Sequence, residues 1–369
     1  MNVNWWMVFF IIVSSFSPLP FPGIAAELVT ENNQTLNKFS IPEVRKEIDR
    51  RIRLGSFSPH LGKPKSLQTE GPSQLSSLND ADLAKIAEGL GGRKAIYGTD
   101  NRMDWWEFQK IAAIKKLAEA TVVLVDRKDL TLNDNGKYYL KTVTLQKKKE
   151  PLCPGEKFEF QRTSGYCSGT LIEKNLVLTA GHCIREISGE SGLPFLQDIA
   201  VVFGFRVFNQ NGIGPTVLEK NQVYFVKNES VGGTSSDSRN DWALIKLTVD
   251  VDQMVAEPSS NIQEGMISNF TKVFVIGHPD GLPVKFAPEG EITQNIPDRA
   301  YFVATLDAFG GNSGSGVYNQ ETNAMVGILT HGGIDYSKPE GESCFKANLC
   351  PSSGCNGEFI TRLANVKIP

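Results

Sequence analysis

Ser313 lies in the stretch Asp307-Ala308-Phe309-Gly310-Gly311-Asn312-Ser313-Gly314-Ser315-Gly316. A serine hydroxyl is barely ionised at neutral pH and acts as a nucleophile only beside a base. Glycines on both sides let the backbone turn sharply. Such a turn can aim two N–H groups, those of Gly311 and Ser313, at the point where an oxyanion develops. Ser315 shares the composition but lacks the Gly-Asn pair in front of it. A histidine can take and return a proton near neutrality, and His182 closes the run Leu176-Val177-Leu178-Thr179-Ala180-Gly181-His182-Cys183. An acid is then needed to hold the imidazole in one tautomer and to stabilise its cation. Asp241 heads the apolar run Asp241-Trp242-Ala243-Leu244-Ile245-Lys246-Leu247, where a strand can aim it. Asp237, the nearest competitor, sits among Gly and Ser. Singly, these are a structural histidine, a turn aspartate and a glycine-serine loop; together they are the parts of a nucleophilic hydrolase.

The elements that must position these groups read as strands. Short β-branched runs recur from Thr121 onward, at 121–125, 138–145, 169–172, 176–179, 199–203, 223–226, 243–247, 272–276 and 325–329. Gly, Asn and Pro bound them, which suggests an all-β barrel or sandwich. Ala112 to Glu119 is the one clear helical stretch nearby. A Cys167–Cys183 disulfide would close a loop of 16 residues and pin the backbone at His182. Cys153, Cys344, Cys350 and Cys355 would then form two further bridges, in three possible ways.

Residues 27–94 differ: rich in Pro, Ser, Asn and charge, with weak helical patterns at Pro42 to Leu54 and Asp80 to Leu90. They read as a propeptide or extension of low order. Residues 1–26 read as a signal peptide, with an apolar run from Trp5 to Val13 too short to span a bilayer. An even set of six cysteines beyond it points to an oxidising, secreted or periplasmic setting. The formal charge of −3 gives no electrostatic argument for nucleic acid. The basic run Lys147 to Lys149, followed by Glu150, reads as a solvated hairpin tip. The late cysteine spacings are not those of a zinc knuckle, and no histidine lies among them.

The sequence resembles the bacterial trypsin-like serine peptidases related to glutamyl endopeptidases. The motifs that carry the resemblance are Cys167 to Ile172, Thr179 to Cys183, Asp241 to Leu247 and Gly311 to Ser315, in the chain order His, Asp, Ser. The stretches Ile276 to Pro283 and Ile96 to Arg102 are also similar. A Gly-x-Ser-x-Gly elbow is absent, because position 315 is serine. The resemblance spans about 95–365 and implies an all-β protein of two perpendicular six-stranded antiparallel β-barrels, with the site in the cleft between them. It implies a protease domain at 95–369 that hydrolyses peptide bonds through an acyl-enzyme, without metal or cofactor. It makes Ser313 the nucleophile, His182 the general base and acid, and Asp241 the orienting carboxylate, with Gly311 and Ser313 supplying the oxyanion hole. Thr330, His331 and Gly332 match the segment beside the substrate backbone.

Substrates would be proteins or peptides, met by a monomer with no nucleic-acid or stable membrane partner. Asp307, six residues before Ser313, occupies the position that makes pancreatic trypsins select Arg and Lys, so basic specificity is favoured. Thr330 and His331 lie near the residues that hold an acidic side chain in glutamyl endopeptidases, but with the histidine offset. The pattern departs from pancreatic relatives at Asn312, where they carry an Asp that pairs with a freed N-terminus. Arg93-Lys94 offers a tryptic-type cleavage site for maturation.

Overall fold

A computed structural model describes residues 96–149, 151–233, 240–350 and 357–368, with the isolated residues 47, 50 and 51, which are helical. The leader, the Arg93-Lys94 pair, Cys355 and most of the extension lie outside the described residues. Everything below belongs to one compact unit, Ser40–Pro369.

Six strands close a barrel: β1 (Thr121–Asp126), β2 (Cys167–Glu173), β3 (Leu176–Thr179), β4 (Ile199–Phe203), β5 (Val223–Gly233) and β6 (Trp242–Leu247). Their order around it is β4-β5-β6-β3-β2-β1, with β4 paired to β1. Successive side chains along these strands point to opposite faces. Val122, Leu124, Leu171, Val177, Val201 and Ile245 fill one cluster. The opposite face of β1 and β4, with Val123, Val125, Ala200 and Val202, is also buried, against Leu140, Phe205 and Leu218. This explains why these strands read as continuous apolar runs rather than as alternating ones.

A second sheet contains β7 (Val273–Gly277), β8 (Lys285–Ala287), β9 (Gly290–Gln294), β10 (Tyr301–Leu306), β11 (Gly316–Asn319), β12 (Met325–His331) and β13 (Glu358–Arg362). Its order is β9-β10-β13-β12-β11-β7-β8, with the short strand Met103–Asp104 added beyond β8. The sheet curls on itself. Phe270 N–H donates to the Ile292 carbonyl at 2.7 Å and Ile292 N–H to the Thr271 carbonyl at 3.0 Å, so the segment ahead of β7 meets β9. The second half is therefore a sheet curled into a half-barrel and stitched by one bridge, not the second closed barrel that the resemblance implies. Val275, Ile292, Phe302, Ala304, Val317 and Ile360 pack inside it.

A fourth apolar cluster joins the halves. Leu176 and Leu178 of β3 and Trp242 and Leu244 of β6 meet Phe274, Ile276 and Tyr318 of the second sheet. Helix α1 (Ala112–Glu119) lies on this seam through Ile114 and Leu117. Two disulfides are formed between described residues, Cys167–Cys183 as expected and Cys153–Cys344; Cys350 is disulfide-bonded as well. No helix among the described residues is long and apolar enough to cross a membrane.

Candidate active site

β3 and β6 run antiparallel with Ala243 opposite Thr179 and Leu244 opposite Leu178. Continuing that register beyond the strand ends sets Asp241 against the turn Gly181–Cys183 that carries His182. The side chains meet there. His182 Nδ1 is 2.5 Å from Asp241 Oδ2, and the His182 backbone N–H donates to Oδ1 at 2.9 Å. One carboxylate thus grips both the ring and the main chain of the same residue. Asp241 is fully buried while His182 stays partly open. Burial alone pushes the Asp241 carboxyl up. The hydrogen bonds and charge of His182, with the nearby His331, outweigh that and hold it below the usual aspartate value. With the carboxylate ionised, the imidazole is set to donate from Nδ1 and to leave Nε2 as an acceptor.

The Ser313 loop is built against the same region by its backbone. Gly311 and Gly314 have φ of +92° and +86°, a left-handed geometry that favours glycine. A side chain at Gly314 would collide with the Ser168 carbonyl and Thr179 Oγ1 and would come within 2.9 Å of Ala180 N. The Ser313 carbonyl accepts from Ser168 N–H at 2.8 Å and lies 3.8 Å from Cys183 Sγ, one residue beyond His182. No hydrogen bond joins the Ser313 hydroxyl to His182 among the described residues. Such bonds often tighten only with substrate in place.

Ser168 has a role that sequence reasoning did not assign. Its buried hydroxyl donates to the Gly311 carbonyl at 2.7 Å and accepts from His278 N–H at 2.9 Å. Asp280 and Asp335 likewise fix Gly310: Asp280 N–H donates to its carbonyl at 2.5 Å, and Asp335 Oδ2 accepts its N–H at 2.8 Å. In a trans peptide the Gly311 N–H points opposite to the Gly310 carbonyl, hence away from Asp280. Neither that N–H nor that of Ser313 donates to a backbone carbonyl among the described residues. Asp280 is in turn gripped by Lys149 Nζ at 2.8 Å and Tyr336 OH at 2.8 Å, while Lys148 Nζ donates to its carbonyl at 2.6 Å. The basic run is therefore not a solvated hairpin tip. It ends a short helix, Leu145–Lys148, whose cations brace the Ser313 loop through Asp280. The sequence signals were a serine within an apolar strand and an Asp-Gly pair after proline. Neither tells which distant residue it meets.

Among the residues assigned to substrate binding, Asp307 is buried and its carboxylate accepts from the backbone of Tyr97 at 2.8 Å and of Asn101 at 3.3 Å. Burial raises it to about 6. Thr330 is buried, its hydroxyl donating to the Phe359 carbonyl at 3.3 Å. His331 is half-buried beside Asp241, with Nδ1 3.9 Å from Oδ2. Gly332 is exposed, yet a Cβ there would collide with the buried carboxyl of Glu358. Glu358 was not foreseen. Burial, then the charges of Asp335 and Asp307, raise its pKa well above the ordinary range.

Residues 167–328 match the family model described as "Trypsin-like peptidase domain", a span that contains His182, Asp241 and Ser313. Among solved structures, human heparin binding protein aligns at 15% identity and a TM-score of 0.37, covering 54% of this chain and 82% of that one. An atomic-resolution structure of HBP aligns at 12% and 0.40, covering 67% and 87%. Likenesses this distant carry no argument. Over the span 167–328 the chain is similar to the trypsin-like peptidase domain.

Proposed function

We propose that this protein is a secreted or periplasmic serine endopeptidase in which Ser313 attacks the scissile carbonyl. His182 takes the serine proton at Nε2 and returns it to the leaving amine, and Asp241 stabilises the imidazolium between those steps. The N–H groups of Gly311 and Ser313 receive the oxyanion, and water then releases the acyl group from Ser313. The observation that carries this reading is the double grip of Asp241 on His182, set by the β3–β6 register next to a loop with two left-handed glycines. Its disulfides suit an oxidising compartment, and removal of residues 1–26 and then of 27–94 is part of the proposal.

Basic side chains are the proposed preference. Burial raises the pKa values of Glu358, Asp307 and Asp335, and the charges of Asp335 and Asp307 add to the rise of Glu358. A guanidinium or ammonium group brought near Gly332 would favour the ionised form of Glu358. Hydrolysis of a peptide library, set beside matched esters, tests both points. Cleavage after Arg or Lys that disappears in Ser313→Ala supports the reading. Hydrolysis of esters alone makes the protein an esterase, and cleavage after Glu reverses the specificity. N-terminal sequencing of the secreted protein tests maturation: a start after Lys94 supports it, and a start at residue 27 contradicts it.

A further inference from the structure

His182 and Asp241 have a third polar neighbour. His331, the last residue of β12, places Nδ1 3.9 Å from the Asp241 oxygen that His182 reaches at 2.5 Å. The two imidazole rings are 5.4 Å apart between centroids. One donor atom from each of His182, Asp241 and His331 lies within 4.8 Å of the others. Two imidazoles and a carboxylate are a donor set for Zn²⁺ and related ions, with a fourth position left for water. The other two such clusters among the described residues are built on Cys167–Cys183 and Cys153–Cys344. Their sulfurs are locked in disulfides and offer no thiolate.

Ligand atoms bound to zinc in a tetrahedron stand about 3.3 Å apart, so from 3.9 Å His331 Nδ1 must draw closer to Asp241 Oδ2, while the 2.5 Å contact of His182 Nδ1 with that oxygen must open. Asp241 is fully buried and fixed by two hydrogen bonds to His182. The His331 side chain is 38% exposed and that of His182 24%, so the two rings are the parts that can turn and the side from which an ion arrives.

We propose that His182, Asp241 and His331 form an inhibitory site for a divalent transition-metal ion of the zinc class. It rests on the role proposed above for His182. Coordination at Nδ1 replaces the ring proton, which leaves to water, and severs the hydrogen bond to Asp241. Coordination at Nε2 occupies the nitrogen that accepts the serine proton. Either mode halts turnover, and no covalent bond within the protein changes, so a chelator reverses it.

Two arms test this on the full chain. In the first, Ser313→Ala protein competes with a chromophoric chelator for Zn²⁺. One ion per chain is expected, and adding His331→Ala or the ring-retaining His331→Phe weakens binding at least ~10-fold, no less than the loss of an outer-shell partner costs. In the second, Zn²⁺ inhibits peptide hydrolysis by the unaltered chain, EDTA restores it, and the inhibition constant rises by the same factor in the His331 variants, each referred to its own metal-free rate. Zinc affinity unchanged in both variants, or no uptake of Zn²⁺ from the chelator, overturns the proposal. The binding arm decides it even for a chain that hydrolyses nothing.

Discussion

At the scale of the residue, the account turns on a carboxylate that must stay ionised while fully buried. Asp241 manages this because each of its oxygens faces a donor on His182. Asp241→Asn keeps the size but loses the charge and invites the wrong imidazole tautomer. The expected result is a fall in kcat of about 10⁴, the size of the effect of the equivalent change in trypsin, with little change in the melting temperature. A large loss of stability with kcat preserved would make the residue structural. Gly332 makes the opposite demand, for no side chain at all. Gly332→Ala drives a methyl group into the Glu358 carboxyl, and overpacking of this kind costs about 1–3 kcal/mol. Denaturant unfolding should show that loss, and steady-state kinetics should show a raised KM, since the 330–332 segment is where the substrate backbone is proposed to lie.

At the scale of the element, the pairing of β3 with β6 delivers His182 and Asp241 to the same end of the barrel. The Cys167–Cys183 disulfide ties the His182 turn to β2, closing 16 residues. Replacing both cysteines by alanine should cost about 3 kcal/mol of stability on loop-entropy grounds, read as a shifted denaturation midpoint; an unchanged midpoint would show that strand packing alone holds the turn. Much of this layer was legible in the sequence. β3 and β4 fall where their β-branched runs predict, and α1 coincides with its helical pattern. These segments are buried on one or both faces, so their own composition specifies them. β10 and β13 were not singled out, although both are strands of the second sheet. Glu358 at the head of β13 breaks the apolar pattern there. The triad candidates were readable because glycine, histidine and cysteine mark local chain geometry. The braces were not: Lys148 and Lys149 meet Asp280 across some 130 positions, and nothing near a lysine in sequence names so remote a partner.

At the scale of the whole molecule, buried and half-buried acids divide into two groups with opposite pH behaviour. Asp307 and Asp335 are raised to about 6 from an ordinary 3.8, chiefly by burial. The folded state therefore holds their protons more tightly than the unfolded one. The stability they contribute is fully present below about 3.8 and is lost as pH rises to about 6. Asp241 and Asp100 are lowered despite burial, by hydrogen bonds and charge from His182 and Arg102 respectively. Their contribution is present above the ordinary aspartate value and is lost on acidification. Melting temperatures of the unaltered chain and of Asp307→Asn, compared from pH 4 to 7, should converge as pH rises, because the variant has no proton to lose there. A gap that widens with pH would contradict the assignment. The fold as a whole must bring a strand-end turn, a strand head and a glycine loop, spread over more than a hundred residues, to one place. Reaction with a fluorophosphonate followed by mass spectrometric mapping tests that assembly most directly. A single adduct on Ser313, abolished by Ser313→Ala and retained in Ser315→Ala, is the predicted result; an intact, folded chain that takes up no label, or takes it up on Ser315, would contradict it.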